Sequence, residues 1–289
     1  MDEFATRLEA LRGAPFVKMT GSGNDFVFFD GRKVPAQLVT APEIIAAICN
    51  RFNGIGADGL VVLEPSAPYG EVRILYFNSD GSPADLCGNA TLCSTSLSVE
   101  LGLGDADGLG LTTPAGLISG RVHDGLPEID LQAVTDVRTD MNIPMSQGEL
   151  RIGFAVAGIP HLVVLCEDAD TVDVAGRGPG LRHHPAVGPA GANVNWVSRR
   201  VDGTWRYRTF ERGVEGETLA CGTGAVATAI LLTAWDRASS PVAIRTSSQR
   251  RLTVRFTRDS GSSPSWTPSI RGEGRMVYRG RIESLAAAT

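Results

Sequence analysis

The chain has 289 residues, of which 43% are hydrophobic and 20% charged, so it is long enough for two domains of a globular protein. The net charge of −5 gives no basic surface, which argues against a nucleic-acid partner. No apolar run approaches the ~20 residues that cross a bilayer, and the acidic Met-Asp-Glu-Phe start predicts no signal peptide. We therefore expect a cytoplasmic protein with no membrane partner.

Five cysteines are scattered along the chain, at Cys49, Cys87, Cys93, Cys166 and Cys221. An odd number without regular spacing is typical of a reducing compartment rather than of a disulfide framework. The sequence has no Cys-x-x-Cys and no His-x-x-x-His pair, so it predicts no metal site. Three of the five, Cys49, Cys93 and Cys166, have the surroundings of small buried hydrophobic residues.

In the first half, Phe4, Leu8 and Leu11 have helical spacing, which indicates either a short added helix or a frayed tail. The apolar runs that follow predict strands at 16–19, 26–30, 60–63 and 72–77 and a helix at 41–49. In the second half they predict strands at 154–156, 162–165 and 207–210, and a loop that leads into a strand at 192–197.

Cys87 and Cys221 each precede a glycine, a small polar residue and a stretch with helical character. A cysteine at the N-terminus of a helix lies beside unpaired backbone N–H groups and the positive end of the helix dipole. We expect this field to favour the thiolate and lower the pKa of the thiol. The same N–H groups can bind a carboxylate, so two such elements that face each other would present two thiols to one anion.

The two halves repeat the same order of features. Three landmarks precede the two cysteines at similar distances: Asn24 and His161 by 63 and 60 residues, Asp58 and Asn193 by 29 and 28, and Phe77 and Phe210 by 10 and 11. This long period indicates an internal duplication. Short strands around one apolar helix in each half predict an α+β fold with a pseudo-twofold axis between two domains, 1–133 carrying Cys87 and 134–289 carrying Cys221. An alternative is that the last residues of the chain pack with the first domain.

Motifs along most of the chain resemble those of the diaminopimelate epimerase family. They are 18–26 (KMTGSGNDF), 54–59 (GIGADG), 77–82 (FNSDGS), 87–89 (CGN), Gly158 with Pro160-His161, 193–195 (NVN), 211–213 (ERG) and 217–225 (ETLACGTGA). The resemblance implies two pseudo-symmetric domains, each a mostly antiparallel sheet around a central helix. It also implies an enzyme without a cofactor that inverts one α-carbon of LL-2,6-diaminopimelate, for lysine and peptidoglycan synthesis.

The resemblance also implies roles for individual residues. Cys87 and Cys221 would be catalytic, and His161 and Glu211 would tune the pKa values of the thiols. The implied substrate-binding residues are Asn24, Asn78, Gly88, Asn89, Asn193, Glu211, Arg212, Gly222 and Thr223. The planar guanidinium of Arg212 can bind a carboxylate in two places.

The chemistry of a two-thiol site agrees with these roles. Inversion needs one group to remove the α-proton and another to supply a proton on the opposite face, and two thiols can do both. A pyridoxal enzyme would need a Schiff-base lysine. The chain has only Lys18 and Lys33, neither in a recognisable cofactor motif, so we expect no cofactor.

Four positions depart from the family pattern. The family usually has Asn where this chain has Ile159, Gly where it has Ala90, and Arg where it has Leu92. Some members have Gln at the position of Gly59. These departures leave two alternatives open, a related racemase of another amino acid and a non-catalytic or thiol-redox protein on the same scaffold. The oligomeric state also stays open, with a homodimer as one option.

Overall fold

The computed structural model describes residues 3–84, 86–259 and 265–285. The chain forms two compact units, one of residues 1–129 with 273–289 and the other of residues 130–272. Each unit has its own hydrophobic core.

The described residues form strands and helices in the following order. The strands are β1 (Pro15–Gly21), β2 (Asn24–Asp30), β3 (Gly59–Ser66), β4 (Glu71–Asn78), β5 (Leu109–Thr113), β6 (Gly116–His123), β7 (Leu126–Asp130), β8 (Val137–Arg138), β9 (Glu149–Ala157), β10 (Ile159–Cys166), β11 (Asn193–Arg199), β12 (Trp205–Glu211), β13 (Gly216–Thr218), β14 (Val242–Arg245), β15 (Arg251–Asp259), β16 (Ser265–Arg271) and β17 (Arg275–Arg281). The α-helices are α1 (Glu3–Ala10), α2 (Ala36–Val39), α3 (Pro42–Cys49), α4 (Gly88–Glu100), α5 (Val174–Arg182) and α6 (Gly222–Ala234). Short 3₁₀ helices occur at Ala169–Thr171 and Pro185–Val187. The strands and the helix predicted from the apolar runs are confirmed.

The two units have the same strand pairing. In the first, the order is β17-β1-β2-β3-β4-β5-β6-β7. In the second, the order is β8-β9-β10-β11-β12-β14-β15-β16, and β13 pairs with β12 as an added strand. Both orders run antiparallel, antiparallel, parallel, antiparallel, parallel, antiparallel, antiparallel. This confirms the predicted α+β fold and the duplication.

The strand registers correct the alignment of the two halves. His161 pairs with Asn193 between β10 and β11, as Phe26 pairs with Gly59 between β2 and β3. Asn193 is therefore the counterpart of Gly59 and not of Asp58. Exact counting agrees with this register, because Gly59 and Asn193 both lie 28 residues before their cysteines. The predicted match of Asn193 with Asp58, which lies 29 residues before Cys87, was therefore wrong by one position.

A central helix lies against the sheet of each unit. In the first unit, α4 contacts β17 and every strand from β1 to β6. In the second, α6 contacts β9, β10, β11, β14, β15 and β16. Residues on all sides of both helices are buried, which is expected of a helix enclosed by other elements. Two buried hydroxyls of α4 are satisfied within the helix, because Ser94 and Thr95 donate to carbonyl oxygens four residues earlier, at 2.8 and 2.9 Å.

The outer face of each sheet is covered by shorter helices. In the first unit, Ile44, Ile45 and Ile48 of α3 pack with Val27 and Phe29 of β2. Phe4, Leu8 and Leu11 join the same cluster, and Glu3–Ala10 is helical, so of the two alternatives left open by the sequence the structure has the short helix. In the second unit, α5 covers β10 and β11 in the same way. Since both faces of the central strands are buried, their registers are firmly set, and so are the residues at their ends.

Candidate active site

Cys87 and Cys221 occupy the same structural position in the two units. Each is the residue before the central helix, with backbone φ and ψ of −133° and 114° for Cys87 and −129° and 114° for Cys221. Each carbonyl accepts the first helical hydrogen bond, from Thr91 at 2.9 Å and from Ala225 at 3.0 Å. The N–H groups of the first helical turn have no intrahelical partner, so both cysteines lie beside N–H donors.

The prediction that the helix N-terminus lowers the pKa of the thiol is wrong for Cys221. Burial and then the negative charge of Glu211 raise the pKa of Cys221 well above its ordinary value. The Thr223 hydroxyl and the Gly224 N–H act in the opposite direction, as a helix N-terminus should, but with smaller effect. Desolvation therefore outweighs the helix in this unit, and Cys221 holds its proton at neutral pH.

Polar groups surround the sulfur of Cys221. The Asn193 amide donates to the sulfur at 3.7 Å, and the Thr223 hydroxyl lies 3.5 Å from it. The Oδ1 of Asn193 accepts from the backbone N–H of Arg212 at 2.9 Å. Glu211 accepts a hydrogen bond from the Thr218 hydroxyl. The structure thus places Asn193, Glu211, Arg212 and Thr223 around one thiol within the second unit.

The guanidinium of Arg212 makes no ion pair with any residue in the described part of the chain. Its positive charge contributes to the lowered pKa of His161. A half-buried guanidinium of this kind can bind a planar carboxylate.

His161 is fully buried, and burial, followed by the charge of Arg212, lowers its pKa to about 3. The ring is therefore neutral at neutral pH. The Asn195 amide nitrogen, which can only donate, lies 3.3 Å from Nδ1 and also donates to Leu162. Nδ1 is thus the acceptor and Nε2 carries the proton. Nε2 has no hydrogen-bond partner among the described residues.

A second polar cluster connects His161 to the cysteine. The Tyr207 hydroxyl lies 2.8 Å from the Oδ1 of Asn195 and 3.3 Å from the carbonyl oxygen of Cys221. A Cβ atom at Gly224 would lie 2.2 Å from the Tyr207 hydroxyl and 2.4 Å from that Oδ1. Only glycine therefore fits at Gly224.

In the first unit, three side chains near Cys87 form a chain of hydrogen bonds. Asn89 donates to Asn24 at 2.7 Å, and Asn24 donates to Asp58 at 3.0 Å. Asn24 begins β2, Asp58 lies directly before β3, and Asn89 lies in the first turn of α4. Asp85, two residues before Cys87, lies outside the described residues.

Tyr76 is a residue of this unit that the sequence did not single out. Its hydroxyl lies 3.3 Å from the Oδ1 of Asn78 and also hydrogen-bonds with Cys87, so its single proton can be donated to Asn78 or to a Cys87 thiolate. A Cβ atom at Gly59 would lie 2.7 Å from the ring of Tyr76, so the ring fills the space of a side chain at position 59. Tyr76 directly precedes the Phe77-Asn78 motif in the sequence, and this adjacency is the signal that could have found it.

The other sequence predictions have the following outcomes. Cys49, Cys93 and Cys166 are buried, as predicted, and burial raises the pKa values of Cys49 and Cys166 to about 12. Leu92 is also buried in α4, which accounts for an apolar residue at that position. Ile159 begins β10 and is half-buried.

The family model for diaminopimelate epimerase matches residues 16–135 and 154–260. The chain belongs to the diaminopimelate epimerase family. A diaminopimelate epimerase of Gemmatimonas aurantiaca is 64% identical, over 93% of this chain and 99% of that protein. One of Aquifex aeolicus is 37% identical, over 92% of this chain and 97% of that protein.

Solved structures share the fold at low sequence identity. A PhzF-family phenazine biosynthesis protein of Bacillus anthracis has a TM-score of 0.71 at 17% identity, over 93% of this chain and 98% of that one. A hydroxyproline epimerase of Agrobacterium vitis has a TM-score of 0.61 at 18% identity, over 95% of this chain and 93% of that one. The diaminopimelate epimerase family thus shares its two-unit architecture with other proteins.

The described ranges contain no group of three or more His, Cys, Asp or Glu side chains that could hold a metal ion. None of the helices described above is long and apolar enough to span a membrane.

Replacing Tyr76 with Phe tests its effect on Cys87. The variant keeps the edge contact with Phe26, at 6.0 Å between ring centroids, and removes the hydroxyl. A hydroxyl donor stabilises a thiolate, so alkylation of Cys87 by iodoacetamide near neutral pH should slow by about tenfold. The other titratable groups near this pair stay unchanged in the variant. They are Asp58 and Cys49 beside Tyr76, and Cys93 beside Cys87.

Peptide mass spectrometry measures the alkylation of Cys87. Tyr278→Phe, a partly exposed tyrosine of the same unit, is the matched control variant. An unchanged rate at Cys87 in Tyr76→Phe, or equal slowing in Tyr278→Phe, would contradict the assigned hydrogen bond.

Burial of neutral His161 predicts loss of stability in acid. The unfolded chain binds a proton below about 6.5 and the folded protein only near 3. Within that window the unfolded state holds more protons, so this residue should lower the free energy of unfolding by about 1.4 kcal/mol per pH unit as the pH falls. Urea unfolding at a series of pH values gives the free energy of unfolding as a function of pH. This pH dependence should be shallower than wild type in His161→Gln and unchanged in His183→Gln, an exposed control. Equal slopes in the two variants would refute this account.

Proposed function

We propose that this chain is a cofactor-independent epimerase that interconverts LL-2,6-diaminopimelate and meso-diaminopimelate. The observation that carries the proposal is a cysteine directly before the central helix in both halves of a member of this family. A buried cysteine can be structural, but two in the same position, each among hydrogen-bonding side chains, favour a pair of acid–base groups.

The two thiols divide the proton transfers between them. Cys221 holds its proton because burial and Glu211 raise its pKa. In the direction in which the Cys87 thiolate removes the α-proton, the Cys221 thiol supplies a proton to the opposite face. The product then leaves Cys87 as a thiol and Cys221 as a thiolate, and the reverse reaction exchanges the two roles. No redox change and no cofactor enter this balance.

The first turns of the two central helices supply the electrostatic stabilisation. Removing an α-proton moves negative charge into the adjacent carboxylate. Backbone N–H groups at Gly88, Asn89, Gly222 and Thr223 are donors of the kind that such charge requires. They lie in helices held on all sides by a sheet, so little reorganisation is needed when the charge develops.

The far end of the substrate carries a second amino group and a second carboxylate. Arg212, with no ion pair among the described residues, suits that carboxylate. Asn78, Asn193 and Glu211 supply amide and carboxylate groups for the rest of the substrate. Because such groups are costly to bury unpaired, a site of this kind rejects ligands that lack the matching groups.

We also propose that the two units act as separate domains divided near residues 130–134, and that the enzyme works in the cytoplasm. The reduced state that two catalytic thiols require supports that location. The product would serve lysine synthesis and peptidoglycan precursors.

Single replacements of the catalytic cysteines test the two-thiol scheme. Cys87→Ala and Cys221→Ala should each lower turnover by at least about 100-fold, because a positioned acid or base contributes ~10²–10⁴-fold and neither thiol can do both tasks. The assay follows incorporation of deuterium from D₂O into the α-carbon together with chiral analysis of the product. Cys49→Ala and Cys166→Ala are controls for loss of a buried thiol. Turnover above about a hundredth of wild type in either catalytic variant would exclude the scheme.

A second experiment tests the substrate. Wild-type protein should exchange diaminopimelate in D₂O and turn over lysine, which lacks the far carboxylate, by ~10⁴-fold less. Arg212→Ala should narrow that difference, since the guanidinium is the partner assigned to the missing carboxylate. Ile159 replaces a polar family residue and could favour single-headed amino acids. Deuterium incorporation into lysine at the rate seen with diaminopimelate would refute the epimerase assignment and favour a racemase of broad specificity.

A further inference from the structure

Asp58 lies at one end of the hydrogen-bond chain that reaches the first turn of α4. Its Oδ1 accepts from Arg51 at 2.7 Å, and its Oδ2 accepts from the Asn24 amide at 3.0 Å and from the Asp25 N–H at 3.3 Å. An ionised carboxylate can only accept hydrogen bonds. The amide of Asn24 must therefore turn its nitrogen toward Asp58 and its oxygen away.

This orientation passes to the next residue. The oxygen of Asn24 accepts from the Asn89 amide nitrogen at 2.7 Å, so Asn89 also has its nitrogen committed to a partner within the protein. Its oxygen, Oδ1, is buried and has no hydrogen-bond partner among the described residues. Asn89 as a whole is only 5% exposed. A buried acceptor without a partner is costly, and a donor from a ligand would relieve that cost.

The position of Asn89 indicates which donor that is. It lies in the first turn of α4, two residues after Cys87, where the backbone N–H groups suit a carboxylate. In an amino acid, the ammonium is attached to the carbon next to the carboxylate. A carboxylate at the helix start therefore brings an ammonium within a few ångströms.

We propose that Asp58 is a positioning residue, which orients Asn24 and Asn89 so that the Oδ1 of Asn89 accepts a hydrogen bond from the α-ammonium of the substrate. The proposal rests on the function proposed above, in that it takes the ligand to be an amino acid. Asp58 does not touch the ligand itself and acts through two amides.

Asp58 belongs to a cluster of charged side chains. Arg51 bridges Asp58 and Asp25, at 2.7 and 2.8 Å, and Lys18 pairs with Asp25 at 2.7 Å. Burial opposes ionisation of Asp25, but hydrogen bonds from Arg51 and Lys18 outweigh it and lower its pKa to about 2. The Lys18 ammonium also donates to the Gly56 carbonyl, in the loop that carries Asp58.

The second unit lacks this arrangement. By strand register, the counterpart of Asp58 is Ala192, a buried residue without a polar side chain. The oriented pair of amides is thus confined to the half that carries Cys87. The proposed route from a carboxylate through two amides to the ammonium therefore exists in this half alone among the described residues.

Asp58→Asn tests the proposal, because an amide at position 58 can offer either a donor or an acceptor to Asn24. Arg51→Gln is the matched control, since it removes the same ion pair from the other side and leaves the Asp58 carboxylate with its partners Asn24 and the Asp25 N–H. Isothermal titration calorimetry measures binding of diaminopimelate and of pimelate, which has both carboxylates and no amino group. Asp58→Asn should weaken the binding of diaminopimelate by about tenfold or more and leave the affinity for pimelate within about threefold of wild type. Arg51→Gln should leave the affinities for both ligands within about threefold of wild type.

Equal weakening of the two ligands by Asp58→Asn would overturn the proposal, and so would an effect of Arg51→Gln on diaminopimelate as large as that of Asp58→Asn. Circular dichroism and the melting temperature monitor folding. If Asp58→Asn does not fold, Asn24→Ala breaks the same chain with the Arg51–Asp58 ion pair intact and should give the same selective loss. Wild-type protein that binds diaminopimelate without exchanging deuterium would refute the epimerase but leave this test valid.

Discussion

Enclosure of one helix by a sheet is the constraint on which both halves of this protein depend. A helix buried on every side satisfies its backbone along its length but leaves N–H groups without partners at its start. Those groups must meet side chains, water or a ligand. In both units the residue directly before this start is a cysteine, so the element that stabilises the core also fixes the position of both proposed catalytic thiols.

The two halves keep this frame and differ in what surrounds the sulfur. Cys221 has a carboxylate, a hydroxyl and an amide nearby, and its neighbours leave room for the helix only because position 224 is glycine. Cys87 has a phenol beside it, which takes the space that a side chain at Gly59 would fill. Duplication supplies two thiols in equivalent places, and divergence gives them different neighbours. In the proposed reaction one thiol starts ionised and the other protonated, and the two exchange these states when the direction reverses.

The sequence was sufficient for the elements that depend on local pattern. Apolar runs, turn residues and the repeated cysteine motif predicted the strands, the central helices and the duplication, because each reflects burial within a few residues. It was not sufficient for features that depend on strand register. The place of Tyr76 beside Gly59, and the equivalence of Asn193 and Gly59 in the two units, depend on which residues lie opposite each other in neighbouring strands. The pKa of Cys221 was mispredicted because the helix start is visible in the sequence, whereas the depth of burial is not.

The position of β17 in the chain affects the order in which the two units complete their sheets. β17 pairs with β1, where Arg281 lies opposite Pro15, and β17 also contacts α4. Every residue of the second unit leaves the ribosome before this strand does. The second unit can therefore complete its sheet once β16 has emerged, whereas the first must wait for β17, with one side of its central helix uncovered until then. Pairing over such a sequence distance is slow to form, so we expect the half that carries Cys87 to be the later of the two to complete its sheet.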